Sequence, residues 1–446
     1  MTHTTLWLAQ IQFFASVGFL LLFLVLELGL AWGLLVLRAL AMGQGRVQWL
    51  PAYRLWARVF ALAVALGFAA SVPVLVQTGT LWPGLLARIG EVSAPLLAGL
   101  ILSSFVFKAC FLGGMLFGER RLAPPVHLAM VAMVALGVTV SAFCFLALVS
   151  WLQAPTGALM VDGRYALTNL AQVVLNPALL PHGLWLAGLS ALSVAFLMMS
   201  VSCGQARRNP ADVASRGVFR MGLGLAVTGL LVHSLAMLDV VRFAAEHQPA
   251  KAAATAALWE SGPRADLLVL GWPDEATATN RLGLTWPGRG GGLLAEDGKG
   301  HWRGLDQFSG MAPPVALTFW SFRLCVFISL LLALVTLANL WWLYGRRRDL
   351  ASLPRLWSGL NRGLGLAGWP LLLSALAWVQ FGAYPYAVQG TVTLSEVLAP
   401  QSGVSLFASG LAWLLCQGLL ILGFVQLLRH VAHHGVVPVR RQRRRA

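Results

Sequence analysis

Charge is scarce in this chain. Only 11% of its 446 residues are Asp, Glu, Lys or Arg, where a soluble domain carries about 25%, so a water-facing surface cannot be drawn over a chain of this length. Cysteine is scarce too. The five present (Cys110, Cys144, Cys203, Cys325, Cys416) all fall in apolar runs without CxxC spacing, which excludes a disulfide framework and a zinc site of the usual kind. No basic segment precedes the first apolar run, as a cleaved signal would require, so that run is read as a retained span. The glycine run Gly288-Arg289-Gly290-Gly291-Gly292 is expected to have no strand before it and no helix after it, which denies it a dinucleotide-binding role. No internal repeat of fixed short period is present.

Apolar sequence is abundant. Hydrophobic residues make up 58% of the chain and the mean hydropathy is +0.75, so lipid is the main solvent. About 20 apolar residues in a helix span the hydrocarbon core, and a helix satisfies its own backbone where no water can. Nine segments qualify: 12–37, 55–77, 93–117, 127–151, 183–203, 218–239, 316–344, 364–387 and 404–428. The expected fold is therefore an all-α polytopic membrane protein, nine transmembrane helices in bundles with one long external loop.

The net charge of +16 would suggest nucleic acid in a soluble protein, but the basic residues sit in short loops between apolar runs. With the N-terminus outside, 21 of the 32 Lys and Arg collect on one side, from Arg38, Arg54 and Arg58 through Arg120, Arg121, Arg207 and Arg208 to Arg346–Arg348 and the tail. The positive-inside rule makes that side cytoplasmic, with the C-terminus there. Division follows the same pattern: helices 1–6 over 1–239, an external loop over 240–312, helices 7–9 over 313–430, and a basic tail over 431–446. The loop, with eight acids and seven bases, reads as irregular, with one helix near 249–260.

Two charges stand deep in apolar helices, Glu27 and Lys108. A lone charge at mid-bilayer costs several kcal/mol. Either the two meet at similar depth as a buried ion pair, or Lys108 snorkels to the headgroups and Glu27 is protonated. Three histidines, His127, His182 and His233, are placed near span ends, none deep. His430, His433 and His434 have helical i, i+3, i+4 spacing that suits a metal, though a cytosolic basic tail beside anionic lipid is the preferred explanation.

The opening of the loop reads Arg242, Gln248-Pro249-Ala250-Lys251, then Leu258-Trp259-Glu260. It resembles the quinol-binding loop of cytochrome bd quinol oxidase subunit I. Further matches follow in order: Ile11-Gln12-Phe13, Ala94-Pro95-Leu96, Phe117-Gly118, Val174-Leu175-Asn176-Pro177, Phe322-Arg323, then Phe381-Gly382 with Pro385. The resemblance implies the fold, a respiratory membrane complex, and three haems ligated largely by this subunit. It also implies Arg242, Gln248 and Lys251 as quinol-binding candidates, although Ala256 stands where the motif has an acid.

Haem-ligand positions carried over from the resemblance hold other residues. Leu20 replaces the first-span histidine. Gly99 and Lys108, or Phe107 with a one-residue gap, replace the two third-span glutamates. Trp185 and Cys325 replace the histidine and methionine of the low-spin haem, while Gln380 and Ala383 replace the glutamate and arginine of span eight. Iron needs an axial imidazole, thioether, thiolate or phenolate.

The reading adopted is a haem-free structural or accessory subunit that binds no cofactor itself. Its partner would be another integral membrane oxidase subunit, either a haem-bearing subunit I paralogue or a subunit II-like chain, which carries haem b/d; nucleic acid is not a partner. A competing reading is an active quinol oxidase subunit with altered ligands, His182 and Cys325, binding haem and quinol. A third is a proton or small-solute transporter using Glu27 and Lys108.

Overall fold

The computed structural model describes every residue except 1–2, 44–45, 210–211, 297–299, 346–348 and 435–446, and the side chains of His3, Arg46, Val47 and His434 are likewise not described. Of the residues named above, Arg346–Arg348 and Arg440–Arg445 therefore lie outside the described residues, as does the side chain of His434, the third histidine of the tail cluster.

Two long helices open the chain, α1 (His3–Leu40) and α2 (Arg46–Thr80). The third span has three parts: α3 (Pro83–Ser103), a π-helix (Ser104–Ala109) and α4 (Cys110–Phe117). Next comes α5 (Pro124–Gln153), entered through Pro124 at its first turn, where the missing N–H costs nothing. A small hairpin, β1 (Ala158–Val161) and β2 (Arg164–Leu167), and the short α6 (Leu170–Val174) lead to α7 (Leu179–Arg208) and α8 (Val213–His247). The external loop holds α9 (Pro249–Ala256) and a second hairpin, β3 (Leu267–Asp274) and β4 (Thr279–Trp286). The chain continues through α10 (Val315–Leu340), α11 (Arg355–Gly363), α12 (Gly368–Phe381), the hairpin β5 (Tyr386–Val388) and β6 (Val392–Thr393), α13 (Leu394–Val397) and α14 (Gly403–His434).

Among the described residues eight helices are long and apolar enough to cross a membrane, and the ninth crossing is broken, with Arg355–Leu366 meeting Gly368–Phe381 at 42°. The expected span 364–387 is corrected accordingly: its helix starts earlier and stops at Phe381. Gly363, Gly365, Gly368 and Pro370 lie at the break, where they weaken the helix and remove a ladder donor.

The spans are apolar around their whole circumference, as lipid-bathed helices are. At the centre lie α1 and α7. Phe23, Leu26, Leu30 and Leu34 of the first meet Leu192, Phe196, Met198 and Met199 of the second in one core. The third span and α14 are peripheral and point Ile101, Leu102, Phe105, Val404, Phe407 and Leu419 outward, the surface a bilayer would solvate.

The external loop is more ordered than expected. Its helix ends at Ala256 because Ala257 turns left-handed, with φ of 52°. A strand does precede the glycine run, correcting the expectation, but it belongs to an antiparallel hairpin and only a 3-10 turn (Gly291–Leu293) follows. A nucleotide fingerprint needs a full helix there, so that role stays excluded.

Candidate functional site

The deepest charges meet. Lys108 Nζ donates to Glu27 Oε2 at 2.7 Å, and the residues are 8% and 2% exposed. The π-helix Ser104–Ala109 explains which residue takes this place, since a π-turn closes i→i+5 bonds and carries one extra residue. It turns Lys108 toward α1, while Phe107 beds on Gly137 of α5. Gly67 of α2 makes room for the carboxylate, because a Cβ there would stand 2.1 Å from Glu27 Oε1. The pair is thus built into three helices.

Elsewhere in the bundle, aromatic rings fill the space between α7, α8 and α12. Trp185, only 4% exposed, stacks on His233 at 6.2 Å and meets Trp378 edge-on at 6.0 Å. Gly188 lets α8 come this close, since a Cβ at 188 would lie 2.7 Å from the His233 backbone N. His233 is fully buried and sits well inside α8, and His127 and His182 are buried too. The expectation that no histidine is deep is corrected for His233 alone, since His127 and His182 stand in the first turn of α5 and α7 as expected; the hydropathy pattern gave no sign that α8 continues to His247.

Tautomers follow from the partners. His182 Nδ1 faces the Ala178 carbonyl at 2.8 Å, which can only accept, so Nδ1 carries the proton. His182 Nε2 is then a bare lone pair with no protein partner. It lines an apolar cavity of about 80 Å³ with Leu21, Phe145, Trp185, Leu189 and Ala375. Ser329 gives its proton to the Cys325 carbonyl and accepts from His233 Nε2 at 2.8 Å. Cys325 is buried, its thiol hydrogen-bonded with Ser374, and it is not among the residues that line the His182 cavity. The two ligand candidates of the competing reading, His182 and Cys325, therefore do not line one cavity here.

The remaining ligand positions hold packing residues. Leu20 lies against the main core, Gly99 faces Cys144 Sγ, and Gln380 and Ala383 are half-buried at the end of α12. Among the described residues no three His, Cys, Asp or Glu side chains form a metal-binding group, and this includes His430 and His433.

In the loop, a residue that sequence reasoning had used only as a landmark proves central. Arg323 of α10 is 5% exposed, lies 3.3 Å over the Phe319 ring, and donates to the carbonyls of Thr255, Leu268 and Val269. It clamps α9 and β3 to the membrane helix. Its signal was its position eight residues into an apolar helix, where a charge needs partners. Lys251 is 2% exposed, with Nζ 4.0 Å over the Trp378 ring, and burial lowers its ammonium to about 7. Gln248 Nε2 donates to Gln153. Arg242, in contrast, is exposed and lines a separate cavity of about 340 Å³ with Glu246, Glu296 and Arg303, whose lining includes neither Gln248 nor Lys251. The three quinol-binding candidates do not converge on one pocket.

A nine-span bundle whose longest structured loop lies between α8 and α10 can be compared with known proteins over its whole length. The profile described as "Cytochrome bd terminal oxidase subunit I" matches residues 8–436. The chain belongs to the cytochrome bd terminal oxidase subunit I family. It is similar to cytochrome bd ubiquinol oxidase subunit 1 of Bacillus subtilis (strain 168), 25% identical, with 96% of this chain and 94% of the relative covered. It also resembles cytochrome bd-II ubiquinol oxidase subunit 1 of Escherichia coli (strain K12), 27% identical over 63% of this chain and 55% of the relative. The bd oxidase structure from Geobacillus thermodenitrificans shares the fold, with a TM-score of 0.85 at 19% identity, covering 97% of this chain and 99% of that one.

Members of the family bind haem, and the residues here do not fit one. Pockets for drug-sized ligands run about 300–1,000 Å³, whereas the cavity beside His182 holds about 80 Å³. Trp185, expected from the resemblance at the low-spin ligand position, has its ring packed on two others, and Lys108, expected at a third-span position, is held in an ion pair.

Proposed function

We propose that this cytochrome bd subunit I-like chain is haem-free and serves as a structural, accessory membrane subunit of a quinol oxidase-type respiratory complex. Its partner would be a haem-bearing subunit I paralogue or a subunit II-like chain. The observation that carries the reading is Trp185: an indole cannot ligate iron, and here it is wedged between His233 and Trp378. Leu20 at the first-span position and the Lys108–Glu27 pair in the third span support it from two other helices. The complex would sit in the bacterial inner membrane with the N-terminus of this chain outside and its C-terminus in the cytoplasm. Arg242, Gln248 and Lys251 stay the residues through which the loop would meet quinol, with Gln248 at the start of α9 and Lys251 within it, both buried.

Haem counting on the purified complex tests this. The pyridine haemochrome should account for haem in the partner alone, and His182→Ala or Cys325→Ala in this chain should leave the visible spectrum unchanged. A haem in stoichiometric amount on this chain purified by itself would overturn the proposal. One observation favours the second reading, an oxidase subunit with altered ligands: His182 Nε2 is a bare acceptor beside a cavity. That reading requires a Soret band that His182→Ala removes.

A further inference from the structure

The β3–β4 hairpin carries apolar residues that the loop does not bury. Leu282 is 95% exposed, Leu284 60%, Trp286 59% and Trp272 58%. Every residue of β4 is exposed, yet the hairpin is firmly attached on its other side, where Leu268 packs with Phe319 and Val315 of α10. An exposed apolar patch rimmed by polar residues marks a contact surface.

The register of the hairpin along α10 gives the height of that patch. At the turn end, Glu275 Oε1 accepts from the Val315 and Ala316 N–H groups, the first of the helix. Farther along β3, the Leu268 and Val269 carbonyls accept from Arg323, eight residues and about 12 Å deeper along the axis. After Arg323 comes the charge-free stretch 324–344, whose 21 residues rise about 31 Å, the thickness of the hydrocarbon core. Arg323 therefore marks the edge of that core. Leu267, Leu268 and Leu270 pair with Trp286, Thr285 and Leu284, so Leu284 and Trp286 lie near the Arg323 guanidinium, which reaches about one turn back to the Phe319 carbonyl and so sits just outside that edge.

Polarity along the hairpin follows this depth. The turn end, away from the core, holds Asp274, Thr277, Thr279, Asn280 and Arg281, and the other end holds Leu282, Leu284 and Trp286. Arg289 lies 5.8 Å over the Trp286 ring. A tryptophan with a neighbouring cation at the core edge is the pairing that headgroup regions favour.

We propose that the hairpin is an interfacial anchor, its Leu282, Leu284 and Trp286 side chains seated in the leaflet next to the loop and Arg289 among the lipid phosphates. It would hold the loop, with α9 and Lys251, at a set height over the bundle. The test uses the intact complex in nanodiscs of phosphatidylcholine and phosphatidylglycerol, with Cys110, Cys144 and Cys416 replaced by alanine. Nitroxide labels are placed at Leu284→Cys, Leu282→Cys and Thr279→Cys, and their relaxation by oxygen and by a water-soluble nickel chelate is compared. The ratio of oxygen to nickel accessibility should be several-fold higher at 284 and 282 than at 279. Equal ratios at the three sites would put the whole hairpin in water and overturn the proposal. Exclusion of both agents from 284 and 282 would overturn it in favour of a protein partner.

Discussion

Lys108 and Glu27, 81 positions apart in the chain, meet at 2.7 Å inside the membrane bundle. Two charges held this far from water repay their desolvation only as a pair, and removing one partner from a buried pair typically costs about 3–5 kcal/mol. Glu27→Ala and Lys108→Ala should each lower the thermal midpoint of the detergent-solubilised chain markedly. The double substitution should recover part of the loss, and simple additivity of the two losses would show that the pair is not coupled.

Gly67 should be intolerant for a related reason. An added methyl group lands 2.1 Å from Glu27 Oε1, and overpacking a filled core costs about 1–3 kcal/mol. Gly67→Ala is expected to destabilise the native chain yet be nearly neutral on Glu27→Ala, where the clash is gone. Thermal unfolding of the four variants reads this directly.

Lys251 gives a pH dependence. Burial lowers its ammonium from 10.5 to about 7 in the folded chain. Between those values the unfolded chain binds the extra proton, so stability rises with pH across that window, and below it the full cost of burying the charge is carried. Lys251→Met should therefore raise the midpoint most near pH 6, with the gain fading by about pH 10. A gain that does not change with pH would assign the effect to packing.

Arg323 holds the loop rather than the bundle. Replacing it with methionine leaves the carbonyls of Thr255, Leu268 and Val269 without their donor, at about 1–3 kcal/mol for each group left unsatisfied. Limited proteolysis of Arg323→Met should cut between α9 and β3 many times faster than the native chain, while the midpoint of the membrane helices moves little. Equal cleavage rates would mean that the clamp is dispensable.

Hydropathy alone determined that the chain is a nine-crossing helical membrane protein, because satisfying a backbone in lipid leaves so few options. Residue identity alone raised the expectation that Leu20, Trp185 and Lys108 stand at haem-serving positions of the family. Side-chain partnership was decided only by the tertiary structure. A local insertion in the third span turned Lys108 rather than Phe107 toward Glu27, and no propensity rule announces a π-turn. The depth of His233, the clamp at Arg323 and the height of the β3–β4 hairpin likewise depend on contacts between segments tens of residues apart. Span detection averages over a window of one helix, whereas these features exist only where two or three helices meet.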